Sequence, residues 1–266
     1  DPEVIDATAD ACSPTEDCTV LEIGPGIGTL TRSLAARYKR VIALEVDRSL
    51  IPVLRYTLED CPNVTVVNED VMQTDLPALL AEAFAAGSVA VCANLPYYIT
   101  TPILMKLLES RLPFSGITVM VQAEVADRLC AGAGEKAYGA ITAVLNYYAR
   151  AEEILFVPAD RFVPAPKVNS KVIRITLWQE KPCVPRDEAL LFRTVKAAFG
   201  QRRKTLANAL ATGYPELGKE RVAKILADMG LAADIRGERL SIADFTALSD
   251  RIGEALSQTE GGNGHD

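Results

Sequence analysis

The sequence is short of histidine, of clustered cysteine and of positive charge, and each shortage closes off a class of chemistry. Its single histidine, His265, lies among the last ten residues, so no Ser-His-Asp or Cys-His hydrolase can be built around a core imidazole. The six cysteines (Cys12, Cys18, Cys61, Cys92, Cys130, Cys183) are scattered, with no C-x-x-C pair. Metal ligation needs clustered donors, so no metal is expected, and unpaired thiols point to the reducing cytoplasm. No apolar run reaches membrane-spanning length and no charged-then-apolar leader opens the sequence, so a soluble protein with no membrane partner is expected. Lys and Arg total 28 against 35 Asp and Glu, a net charge of −7, which argues mildly against a nucleic-acid partner. The deficit is uneven. Residues 1–184 hold 16 basic and 23 acidic side chains, whereas residues 185–256 hold 12 and 10, a net of +2. Any attraction to a polyanion must therefore come from local patches.

What is present is a strand–helix alternation. Apolar runs at 20–23, 41–45, 64–67, 89–93 and 117–121 read as strands, and 27–38, 50–58, 101–108 and 141–148 read as helices. Strands apolar on both faces and separated by helices indicate a mostly parallel α/β sheet covered on both sides. Residues 154–157 and 171–178 read as a final pair of strands. The segment 178–186, with two prolines and few apolar side chains, marks a boundary. Beyond it helices are expected at 187–199, 202–212, 219–228 and 242–256. The sequence thus predicts an α/β domain over 1–180, a small all-helical domain over 187–256 and a glycine-rich disordered tail over 257–266.

The first strong motif is Leu21-Glu22-Ile23-Gly24-Pro25-Gly26-Ile27-Gly28, a strand running into a helix. Glycines at alternate positions permit a tight turn and let a ligand approach where a Cβ would block it. By themselves they fit a ligand-free turn as well. Two acids add weight. Glu45 ends the second strand, where a carboxylate can take ribose hydroxyls, and Asp70, followed by Val71, ends the third, where it can accept from an adenine amino group. Together they outline an adenosine-shaped site. A dinucleotide fingerprint reads G-x-G-x-x-G; here the order is E-x-G-x-G-x-G, which resembles the first motif of class I methyltransferases.

Asn94-Leu95-Pro96-Tyr97 follows the fourth strand. Methylating an exocyclic amino group is difficult because the nitrogen lone pair is delocalised into the ring. The Asn94 side-chain oxygen and the Leu95 carbonyl can accept the amino protons and draw the nitrogen towards a tetrahedral geometry. Pro96 stiffens the turn, and Tyr97 can stack on the base. No strong general base is needed, in keeping with a core without histidine. The tetrapeptide resembles the N/D-P-P-Y/F signature of amino-nitrogen methyltransferases.

The longer strings 94–102 (NLPYYITTP), 162–168 (FVPAPKV) and 199–206 (FGQRRKTL) resemble the bacterial KsgA/RsmA family of small-subunit ribosomal RNA adenine dimethyltransferases. Further matches at 121–126, 138–139 and 236–241 carry the resemblance over nearly the whole sequence. It implies a Rossmann-like class I fold with a helical C-terminal domain and S-adenosylmethionine as cofactor. Gly24, Gly26, Glu45, Asp70, Val71 and Asn94 would bind the cofactor, Asn94 and Leu95 would act on the base, and Tyr97 and Phe162 would clamp it. The implied substrate is two adjacent adenines near the 3′ end of 16S rRNA, in the small subunit or its precursor; a monomer is expected, though the sequence carries no signal of oligomeric state. The family usually opens with a basic arm and a Q-N-F-L segment, which would precede Asp1.

Lys167, beside Phe162, is a candidate phosphate contact. Arg202, Arg203 and Lys204, with Arg193 and Lys196 upstream, form the densest basic cluster; RNA contact and structural pairing are equally good readings of it. Three other functions compete: the large-subunit adenine methyltransferases of macrolide resistance, which commonly carry isoleucine where Leu95 stands; an assembly or transcription factor that binds without catalysis; and a small-molecule methyltransferase.

Overall fold

The computed structural model describes residues 1–266 except 13, 14, 16, 202 and 263–266, and the side chains of 260–262. The chain forms two compact units, one of Asp1–Cys130 with Ala149–Leu177, the other of Ala131–Tyr148 with Trp178–Asp266.

The first unit is built on seven strands: β1 (Thr19–Ile23), β2 (Arg40–Leu44), β3 (Val64–Val67), β4 (Val89–Asn94), β5 (Ile117–Gln122), β6 (Ala149–Val157) and β7 (Ser170–Leu177). Their order is β3-β2-β1-β4-β5-β7-β6. Strands β1 to β5 are parallel, and β7 runs antiparallel between β5 and β6. All of β1 is buried, as the two-faced apolar pattern requires. β6 begins at Ala149, five residues before the expected start, because its first half is exposed and carries Arg150, Glu152 and Glu153, a sequence with no apolar run.

Among the described residues, six α-helices belong to this unit: α1 (Pro2–Asp10), α2 (Thr29–Ala35), α3 (Ile51–Thr57), α4 (Leu76–Ala86), α5 (Thr100–Glu109) and α6 (Ala123–Cys130). The alternation alone does not predict α1, α4 or α6. α1 is started by Asp1, whose carboxylate accepts from the Glu3 and Val4 N–H groups, and by Pro2 in the first turn. Its Ala9 packs with Leu34 and Tyr38 against Val20, Val41 and Cys92 of the sheet. α4 is capped by Asp75, which accepts from Ala78 N–H at 3.1 Å. Leucine and alanine around most of its circumference blur the 3.6-residue stripe by which a helix is usually read.

The second unit contains α7 (Ala140–Tyr148), α8 (Glu188–Phe199), α9 (Leu206–Gly213), α10 (Gly218–Asp228) and α11 (Ile242–Gly262). It differs from the expected domain in three ways. Residues 131–148 belong to it, because Tyr138, Ala143 and Tyr147 bury in the same cluster as Leu191, Val195 and Phe245. α9 starts at Leu206, so Arg203 and Lys204 lie in the preceding turn and not in a helix. α11 continues to Gly262, past the expected end at 256. Arg221 ties its last turns by donating to Thr259 Oγ1 and Gln258 Oε1. The remainder of the expected tail, 263–266, lies outside the described residues.

The six cysteines form no disulfide. Among the described residues no group of three or more His, Cys, Asp or Glu is placed to hold a metal ion, and no helix is long and apolar enough to cross a membrane.

Candidate active site

In an open parallel sheet, ligands bind beyond the carboxyl ends of the strands where the strand order reverses. Here the reversal falls between β1 and β4, which pair directly. The turn holding Gly24 and Gly26 follows β1, and Asn94 ends β4. Glu45 follows β2, and Asp70 lies in the turn after β3. Across the sheet, in the order β3, β2, β1, β4, the four segments singled out in the sequence therefore stand in one row along one edge.

A cavity of about 520 Å³ opens there, lined by Gly24, Gly26, Asn94 and Phe162. Its far wall is made by α1, through Val4, Ile5 and Thr8. Met120, the β5 register partner of Asn94, also lines it. Phe162 packs against a small cluster of Met120, Val157 and Val172. That cluster explains how a residue more than sixty positions from Asn94 in sequence reaches the same cavity.

The glycine turn needs its glycines. Gly24 and Gly26 have φ of +71° and +60°, a region that side-chain-bearing residues seldom enter. A Cβ at either position would meet no protein atom within 4 Å. The cradle is therefore empty of protein, and a ligand's backbone-close approach is possible at both. Gly28 is different: a Cβ there would come within 3.0 Å of Thr57 Oγ1, so this third glycine serves helix packing.

Glu45 is buried, and its carboxylate fastens the turn by accepting from Gly26 N–H at 3.2 Å and Asp47 N–H at 2.8 Å. A carboxylate has about four acceptor positions, so both oxygens keep capacity for hydroxyl donors. Asp70 accepts from Met72 N–H at 2.8 Å and is half-buried, with Val71 buried beside it.

In the 94–97 turn, Asn94 is exposed and Leu95 is buried. Leu95 N–H donates to Met120 O at 3.1 Å, and the Pro96 carbonyl accepts from Ile99 N–H and from the Thr100 hydroxyl at the start of α5. The Tyr97 hydroxyl shares a 2.7 Å hydrogen bond with Ser170 on β7, which fixes the ring's direction.

One residue of the site escapes a search for charged strand ends, although it is the first letter of the glycine motif. Glu22 lies within β1, only 1% exposed, and lines the cavity. Its Oε2 has no hydrogen-bond partner, and neither has the neighbouring Thr31 hydroxyl, so the contact between the two falls short of a hydrogen bond. Burial pushes the Glu22 carboxyl up to about 8; Thr31 opposes the shift and the negative charge of Glu45 adds to it. An unpartnered buried carboxyl facing a cavity is costly unless something cationic or proton-donating meets it.

Lys167, the predicted RNA-contact residue of this unit, is not part of the cavity's lining. Lys167 is exposed in the loop beyond Phe162. Arg203 and Lys204 are exposed in the second unit, and Arg202 lies outside the described residues. Arg193 takes the structural reading: it donates to Gly213 O, pairs with Glu216 at 2.8 Å and stacks over the Tyr214 ring.

A family model described as ribosomal RNA adenine dimethylase matches residues 1–252. The chain is 47% identical over 260 residues to a Bacillus licheniformis protein named ribosomal RNA small subunit methyltransferase A, covering 96% of this chain and 89% of that protein. In fold it is similar to a dimethyladenosine transferase from Plasmodium falciparum, with a TM-score of 0.78, 22% identity and coverage of 96% and 97% of the two chains. It is also similar to the 23S rRNA methyltransferase ErmE, with a TM-score of 0.71, 26% identity and coverage of 95% and 98%. The seven-stranded sheet, with its one antiparallel strand inserted next to the edge, is accordingly a class I methyltransferase sheet. A site whose residues line one sheet edge, on that sheet, in a sequence matched almost from end to end, leads to one conclusion: the chain belongs to the ribosomal RNA adenine dimethylase family.

Proposed function

We propose that this protein transfers methyl groups from S-adenosylmethionine to N6 of two adjacent adenosines near the 3′ end of 16S rRNA, in the small ribosomal subunit or its precursor, in the cytoplasm. The observation that carries the reading is the row Asp70, Glu45, Gly24–Gly26, Asn94 along one sheet edge, of which Gly24, Gly26 and Asn94 line a cavity together with Phe162.

The residues fit S-adenosylmethionine. The glycine cradle accommodates a chain lying close to the backbone. The unpartnered Glu22 carboxyl matches a cationic amino-acid end, which would hold it ionised and remove the cost of its burial. Glu45 would take the ribose hydroxyls, and Asp70 the adenine amino group with Val71 alongside. When bound, the cofactor supplies an electrophilic methyl group on a sulfonium centre.

The chain's own contribution is to place and polarise the amino nitrogen. The Asn94 side-chain oxygen and the Leu95 carbonyl would accept hydrogen bonds from its two N–H groups, drawing the lone pair out of the ring. The freed lone pair would then take the methyl group that the bound cofactor supplies, and the surplus proton would leave to water. After the first transfer the nitrogen has one proton left, so only one of the two acceptors is engaged in the second. Tyr97, steadied by Ser170, and Phe162, steadied by Met120 and Val172, offer aromatic faces that repay the stacking lost when the base leaves its RNA helix. Lys167, Arg203 and Lys204 would contact phosphate, with Arg202 in the same string.

The test is methyl transfer from tritiated S-adenosylmethionine to small subunits taken from a strain that lacks the dimethylation. Label recovered as dimethyladenine in 16S rRNA is the expected result. Label confined to large-subunit RNA would move the assignment to the resistance enzymes. Particle binding without label would make the protein an assembly factor, and label on free adenosine alone would make it a small-molecule enzyme.

A further inference from the structure

We infer that Lys106 is a positioning residue for cofactor recognition: its ammonium group clasps the turn that carries Asp70 and Val71 and ties it to α5, the helix that also secures the Asn94–Tyr97 turn. The inference rests on the proposed pairing of Asp70 with the cofactor's adenine.

The turn after β3 is shaped by short local bonds. Asp70 Oδ1 accepts from Met72 N–H at 2.8 Å. The Asp70 carbonyl accepts from the N–H groups of Gln73 and Thr74 and from the Thr74 hydroxyl, at 2.8, 2.9 and 2.9 Å. These bonds set the shape of the turn, and all of them span four residues or fewer. The anchor from elsewhere in the chain comes from α5. Lys106 Nζ donates to Met72 O at 2.9 Å and to Thr74 O at 2.8 Å, across more than thirty residues of sequence. A lysine on a helix surface ordinarily sends its ammonium group into water. This one is half-buried and spends two donors on backbone carbonyls of a single turn. Hydrogen bonds from a charged donor are roughly twice as strong as neutral ones. Because both acceptors are backbone atoms, the clasp fixes the path of the chain whatever the side chains at 72 and 74.

The same helix reaches the reaction centre. Thr100, its first residue, donates to the Pro96 carbonyl at 3.1 Å. Between Thr100 and Lys106, Ile103 and Leu104 are buried, so the helix is fixed to the core. One rigid element thus holds the adenine-side turn at one end and the base-acting turn at the other, the arrangement a precise site requires.

The experiment is calorimetric binding of S-adenosylhomocysteine and of S-inosylhomocysteine, which carries an oxo group in place of the adenine amino group. The proteins are wild type, Asp70→Ala, Lys106→Met and Lys106→Gln, each checked by thermal melting to be folded at the binding temperature. Wild type is expected to prefer the adenosyl ligand, and Asp70→Ala to lose that preference. Lys106→Met is expected to bind S-adenosylhomocysteine about tenfold more weakly and S-inosylhomocysteine unchanged, a loss of the size carried by hydrogen bonds to a charged group. Lys106→Gln, which keeps an N–H donor group but loses the charge, is expected to fall between, and serves if Lys106→Met does not fold. Equal losses for both ligands, or no loss for either, would overturn the role of Lys106, since a merely structural lysine has no reason to distinguish an amino group from an oxo group. A wild type without preference, or a preference that survives Asp70→Ala, would overturn the adenine assignment instead.

Discussion

The two most distinctive strings in the sequence, 94–97 and 199–206, meet opposite fates in the folded protein. The first ends β4 at the sheet's switch point, with Asn94 exposed on a cavity. The second closes α8 and opens α9. Phe199 packs between the rings of Tyr138 and Phe245, with centroids 5.9 Å away in each case. Gln201 donates to Thr212, and Leu206 N–H donates to Ile235 O at 2.7 Å. The other matched strings in the second unit are spent in the same way: the Tyr138 hydroxyl donates to Leu240 O, and Gly134 N–H to Glu238 O. A family hallmark can therefore be a packing solution. What marks the chemical motif is polar groups left facing open space, and what marks the scaffold part of the second string is that Phe199, Gln201 and Leu206 are already matched, while Arg203 and Lys204 stay exposed.

That contrast can be broken by mutation, most sharply at Asn94. Asn94→Ala is expected to lower the rate of methyl transfer to small subunits by about a hundredfold or more, with an unchanged melting temperature, since the side chain is exposed and a lost transition-state hydrogen bond costs on this scale. Tritium incorporation checks it; a large drop in melting temperature would assign Asn94 to the scaffold.

Gly26→Val comes next. It forces a β-branched residue to positive φ and puts methyl groups into the cradle, so S-adenosylhomocysteine affinity measured by calorimetry should fall at least about tenfold. Phe199→Ala should do the reverse. Urea unfolding should show a loss of about 2–3 kcal/mol, less than for a fully buried ring because Phe199 is half-buried, with cofactor affinity unaltered. Loss of transfer without loss of stability would place the second string in the active site.

Glu22 gives a pH test of the first region. Its folded carboxyl sits near 8, above its ordinary value near 4.5, so the unfolded chain releases this proton first. The stability of the ligand-free protein should fall as pH rises from about 4.5 to 8 and change no further from this group above that. Glu22→Gln should flatten the slope of melting temperature against pH in this window, and added S-adenosylmethionine should reduce it in the wild type. The smallest effect is expected at the exposed cations. Lys167→Ala or Arg203→Ala should each reduce the slope of log affinity for ribosomal RNA against log salt by about 0.7–0.9 for every phosphate that the side chain neutralises. An unchanged slope would make that cation a solvated surface charge.

The sequence alone determined the strand–helix alternation, the glycine turn and the acids that follow β2 and β3. Those signals are local: burial on both faces writes an apolar run, and a positive φ or a close approach writes a glycine. Other parts carry no such signal. α4 is apolar nearly all round, the first half of β6 is a polar edge, and residues 131–148 join the helical unit through side chains whose partners lie more than forty residues later. Only the tertiary structure decided that Phe162 and α1 would wall the same cavity as Asn94, that Glu22 would be left without a partner inside it, and that Lys106 would hold the Asp70 turn. The reason is the same for each. A hydrogen bond or a shared wall between distant segments depends on strand order and register, which the sheet sets as a whole and no single stretch of sequence contains.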